Sequence, residues 1–92
     1  REQASMPSME FAILSASKGW ITDAEALAWG SKTSIPALAD DIIKLMPADE
    51  QLRMRLVVLT SETIGRNNPM MAPLMNAQGV EDAEMDEVFG IN

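Results

Sequence analysis

Met70, Met71 and Met75 place three thioethers within six residues, in a segment bounded by Gly65 and Gly79. Soft sulfur ligands suit Cu(I). The chain offers no cysteine and no histidine to join them, and thioethers alone hold copper weakly. Methionine also fills irregular gaps in cores and serves surfaces that adapt to partners. Core packing therefore ranks first for this segment, a partner-binding or self-associating patch second, and a metal site last.

Carboxylates form the next candidate set. Asp40/Asp41, Asp49/Glu50 and Asp86/Glu87 are neighbours in sequence, and a shared site can push one carboxyl toward acid–base use. Adjacent helical residues diverge by about 100°, so none of these pairs converges on one point. The C-terminal acids lack the glycine and ligand spacing of a calcium loop. Ser17-Lys18 and Ser31-Lys32 pair a hydroxyl with an amine, but both read as exposed turn residues. Lacking His, Cys and Tyr, an active site would need an unusual lysine or carboxylate. The chain reads as non-enzymatic, with no catalytic, cofactor-binding or metal-binding residues.

The elements that would position these groups are helices. The first spans Pro7 to Ser17, with Pro7 suited to a first turn and Gly19 past the end. The second opens at Thr22, with Glu25 at the spacing of a capping box and Gly30 closing it. The third lies in "SIPALADDIIKLMP", where Ile35, Leu38, Ile42 and Leu45 recur at helical spacing. Asp40 and Lys44 make an i,i+4 pair on its outer face. The fourth and longest covers Ala48 to Gly65, with the stripe Leu52, Leu56, Leu59 and Thr63. "LRMRLV" also alternates as a half-buried strand would, yet it has no second strand to pair with. In "NNPMMAPLMNAQG" a turn precedes a short helix broken at Pro73, since proline lacks the N–H and crowds the preceding turn. The last helix, "VEDAEMDEVFG", is acidic in its first turns and carries Met85, Val88 and Phe89 as its stripe. The expected fold is all-α: five to six short helices around a central helix at about 48–65. Trp20 and Trp29 are expected as core anchors rather than interface residues.

Ninety-two residues, 47% of them apolar, suit one small domain. Residues 1–8 read as an added or disordered extension, because the chain opens on Arg1 and Met6 and Met9 both offer a start. The N-terminal residues do not read as an export signal, since Glu10 interrupts a short apolar stretch. No apolar run is long enough to span a bilayer. The expected location is cytoplasmic. A net charge of −7 disfavours nucleic acid, whose binding needs Lys and Arg to release counterions, and anionic membranes by the same sign. "TDAEALAWGSKTSIPALADDII" has the outline of a helix-turn-helix, but Asp40 and Asp41 on the would-be recognition helix argue against one.

"ITDAEALAWGSKTSIPALADDIIKLMP", with the closing "DEVFG", resembles small acidic helical proteins encoded in the structural-gene regions of tailed phages and prophages. The likeness covers roughly residues 20–47 and 84–90. It implies a virion-assembly or tail-associated role, with no catalytic residues to carry over.

The function expected from these readings is docking on another protein. The surface expected to do it joins Met70, Met71 and Met75 to Glu84, Met85 and Phe89 of the last helix, an apolar patch beside a negative rim. Its partner would present a basic, partly apolar surface. The alternative is a structural homo-oligomer, self-associating through the same segment to complete a small core.

Overall fold

The computed structural model describes residues 4–90. Within them the chain runs β1 (Ser5–Pro7), α1 (Ser8–Ser17), α2 (Asp23–Gly30), α3 (Ala37–Ile43), α4 (Ala48–Thr60), β2 (Thr63–Gly65), α5 (Met71–Gln78) and α6 (Asp82–Val88). The fold is a small helical bundle with one short sheet.

Helix starts are set by local chemistry and, in one case, by a neighbour. Thr22 caps α2 through the anticipated box: its Oγ1 accepts the Glu25 N–H at 3.1 Å, and Glu25 Oε1 accepts the Thr22 N–H at 2.9 Å. Neither Ser34 nor any other side chain of its own segment caps α3, whose N-cap is Pro36. Instead, Glu25 Oε2 reaches across and accepts the Ala37 N–H at 2.8 Å. One carboxylate thereby serves two helix starts, satisfying donors that have no intrahelical acceptor.

α5 is continuous, contrary to the expected break. Pro73 falls at its third residue, inside the first turn, where the missing N–H had no partner to lose. Asn68 opens the segment, its Oδ1 accepting the Met70 N–H at 2.8 Å. Gly79 ends it in the left-handed region at φ 66°. The Val80 N–H then donates to Met75 O at 2.9 Å, closing a Schellman turn.

Three further expectations need correction. The fourth helix stops at Thr60, and residues 63–65 are strand. It is also peripheral rather than central. Leu52 and Leu56 of the expected stripe are 67% and 50% exposed, and Val58 is the only buried residue of the helix. "LRMRLV" is helical throughout, as expected, and the strand lies beyond it at residues 63–65. β1 pairs antiparallel with β2 in the register Ser5↔Gly65, Met6↔Ile64, Pro7↔Thr63. Flanking bonds extend the pairing, from Arg66 N–H to Ala4 O and from Ser8 N–H to Glu62 O, both 2.9 Å. Residues 4–8 are therefore part of the fold, not an extension, while residues 1–3 lie outside the described residues.

The core gathers around Phe11 of α1. Its ring lies 6.2 Å from Trp29 in an edge-on contact, 6.4 Å from Trp20 and 5.9 Å from Phe89, within the range of favourable aromatic pairs. Below it pack Ile43, Met71 and Met85, all at 2% exposure or less. Trp29 is the expected core anchor, and Trp20 is partly buried against the same cluster.

Candidate functional site

Met70, Met71, Met75 and Met85 are buried at 5%, 2%, 8% and 0% exposure. The patch they were expected to form does not exist as a surface: all four belong to the buried core, where Met70 and Met71 line a crevice with Phe11, Trp29 and Ile42. Phe89 is half-buried against Phe11. Of the six expected docking residues, Glu84 alone lies open, and it is tied to Lys18 Nζ at 3.0 Å. That ion pair, with Met85 in the core and Phe89 packed against it, docks α6 on the bundle rather than leaving it a free acidic arm. The physical reason lies in the periodicity. With acids on its outer face, α6 has only the Met85–Phe89 side to give the core, and α5 has little besides Met71, Leu74 and Met75.

The exposed apolar residues lie elsewhere. Met9 and Ile13 sit one turn apart on α1 at 60% and 56% exposure. Leu52, Leu56 and Val57 are on the outer face of α4, and Leu45 stands in the turn before it at 84%. An open groove of about 290 Å³ lies between the start of α1 and the ends of α2 and α4. Met9, Pro7, Trp29 and Leu59 form its apolar walls, and Glu10, Lys32 and Glu62 its polar ones. A second hollow, of about 350 Å³, lies beside Arg66, Asn68 and Asp82. The crevice inside the core is only about 40 Å³ and almost wholly apolar, with Ser15 as its one polar side chain, on the scale of a single water.

The groove exists because α4 ends early. After Thr60 its last carbonyls lack intrahelical donors. Trp29 Nε1 donates to Val58 O at 2.9 Å, and Lys32 Nζ to Thr60 O at 3.0 Å. Lys32 holds this position from the left-handed region, at φ 59°. The chain then turns through Ser61 and Glu62 into β2, leaving the floor of the groove open beside Met9.

Charge is distributed unevenly. Lys18, Lys32, Lys44, Arg55 and Arg66 each pair with a carboxylate. Asp40 receives both Lys44, at 3.1 Å as expected, and Arg55. Arg66 is buried and bonded to Asp86 at 2.9 Å and Asp82 at 3.0 Å, clamping the end of β2 to α6. Glu10, Asp23, Asp41, Asp49, Glu50, Glu81 and Glu87 are exposed and form no ion pair, and Arg53 is the unpaired base among the described residues. Glu25 is held below its ordinary value, chiefly by the Thr22 N–H and then by that of Ala37.

The hydroxyl–amine neighbours are engaged in structure. Ser17 Oγ donates to Leu14 O at 2.7 Å and Ser31 Oγ to Leu27 O at 2.9 Å, while their lysines reach Glu84 and Thr60. Among the described residues no three carboxylates stand together as a metal site, and no helix is long and apolar enough to cross a membrane. Sequence reasoning missed the groove and Arg66. The groove depends on where α4 stops. For Arg66 a signal was present: it is the last cation of the chain, and five acids follow it between Glu81 and Glu87.

The chain matches no protein-family model, no curated protein and no solved structure.

Proposed function

We propose that this chain is a non-enzymatic interaction protein that docks on a protein with a basic, partly apolar surface, in phage virion or tail assembly. The observation that carries the reading is Met9. It is 60% exposed at the edge of an open groove with apolar walls, and its neighbour Glu10 carries an unpaired charge at the rim. Met9 with Ile13, exposed one turn further along α1, puts two apolar side chains in water beside a recess with apolar walls, which supports a contact site. An apolar side chain of the partner fits the groove, and a cation beside it meets Glu10. The exposed unpaired acids set the sign of the long-range attraction, which governs approach rate. The phage setting rests on the resemblance of residues 20–47 and 84–90. On this reading the chain works in the cytoplasm or on the virion.

The test is site-specific photo-crosslinking in cells producing the phage, with the probe at position 9 and, as a control, at the exposed Ala77 of α5. A discrete adduct from position 9 only, lost with Glu10→Lys, supports the reading. Equal adducts from both positions, or none from position 9, overturn it.

A further inference from the structure

We propose that α4 is a self-association surface, pairing antiparallel with α4 of a second copy of this chain. The outer face of α4 carries Leu52, Leu56 and Val57, and the turn before it carries Leu45 at 84% exposure. The monomer does not need these residues, because its core is closed without them: Ile43 and Met85 are at 0% exposure. Self-association here therefore does not complete a core. It covers a face.

Charge identifies the occupant. Arg53 lies between Leu52 and Leu56 in sequence, on the outer side of the helix, and forms no ion pair. Asp49, one turn earlier on the same side, and Glu50 form none either. A parallel pairing would set Arg53 beside Arg53 of the second copy, which repels. An antiparallel pairing about a two-fold axis near residue 51 sets each Arg53 level with Asp49 of the other copy. The same register brings the two Leu52 side chains within a turn of each other. It also lays each Leu56 at the level of the other copy's Leu45–Pro47 turn. A face that is acidic at one end and basic at its middle is complementary to itself only in this sense, and a two-fold contact requires that self-complementarity. An unrelated basic partner would be repelled by Arg53 at the centre of the contact.

The size of the face sets the strength. Thirteen residues make a helix about 20 Å long. One face of it falls short of the roughly 800 Å² per partner of a standard interface. The expected dimer is reversible and weaker than about 1 μM.

Sedimentation equilibrium of the whole chain from about 10 μM to about 1 mM, at low and high salt, reads this directly. The expected result is a mass rising from 10.0 kDa toward twice that value, with the dimer weakened by salt. Leu52→Asp/Leu56→Asp should stay monomeric at every concentration with unchanged melting. Arg53→Asp should weaken the dimer by about tenfold, and Asp49→Arg/Arg53→Asp together should restore it. Monomeric mass up to the highest concentration overturns the proposal, as does a Leu52→Asp/Leu56→Asp variant that still dimerises. A charge swap that fails to restore the dimer overturns the antiparallel register. The Met9 groove is untouched by these variants, so a failure here leaves the docking reading standing, and the reverse holds too.

Discussion

Glu25 Oε2 accepts the backbone N–H of Ala37 at 2.8 Å, while its other oxygen closes the capping box on Thr22. Two helix starts, at Asp23 and Ala37, share one carboxylate. That arrangement fixes the angle between α2 and α3, and α3 carries Ile43 into the core.

Stability should therefore depend on pH through Glu25. Hydrogen bonds from Thr22 and Ala37 favour its charged form and hold it below the ordinary carboxylate value of 4.5. A lowered folded value means the contribution is fully present above the ordinary value and is lost as pH falls through the folded one. Urea unfolding of wild type and Glu25→Gln should show a gap at neutral pH that narrows below about pH 4.5. Thr22→Ala, which removes only the reciprocal cap, should cost about 1 kcal/mol. A gap that stays constant into acid would contradict this account.

Arg66 should be the most sensitive charged position. Its side chain is 8% exposed and is bonded to Asp86, itself 9% exposed. Arg66→Ala breaks a buried ion pair with Asp86 and a second bond to Asp82 at once, so it should cost about 3 kcal/mol. Asp82 is 81% exposed, and Asp82→Asn should cost under about 1 kcal/mol. Arg66→Lys should not rescue, because a lysine cannot donate from two nitrogens in one plane. Chemical denaturation of the three variants checks the order.

Much of this fold was legible because its signals are local. Thr22 with Glu25, Pro7 before α1 and Gly79 after α5 each announce a helix end within four residues. The failures are non-local. Nothing within "LVVLTSETIG" says that the helix must stop at Thr60. The stop depends on a pairing with residues 5–7, more than fifty positions away, and on Trp29 and Lys32 reaching in to take the freed carbonyls. Which face of α4 is buried was also hidden, since Leu52, Leu56 and Val58 all look like core by type. The candidate site followed the same rule. Methionine type admits both core and surface, and only the packing against Phe11, Trp29 and Ile42, from three other helices, decides for core.

Met71→Ala tests that decision. At 2% exposure the side chain leaves a cavity when truncated, and the expected cost is about 2–5 kcal/mol. Leu52→Ser removes an equally apolar side chain from the surface and should change stability by no more than about 0.5 kcal/mol. Melting curves of the two variants separate core from surface without reference to any partner. Equal melting temperatures would return the methionines to the surface.

Trp29 joins the fold to the groove, and its replacement should separate the two. Its ring packs on Phe11 at 6.2 Å, its Nε1 caps Val58 O, and its edge lines the groove beside Met9. Trp29→Phe keeps an aromatic ring but removes the donor. The Val58 carbonyl then loses its only side-chain donor among the described residues, at a cost of about 1–3 kcal/mol for a buried acceptor. The loss should be local. Hydrogen exchange should rise in the last turn of α4 and in β2, while α5 and α6 keep their protection. Lys32→Met removes the neighbouring bond at an exposed site and should loosen the same turn by less. If Trp29→Phe instead raises exchange evenly through the bundle, Trp29 acts as core volume alone and the groove is not shaped by the way α4 ends.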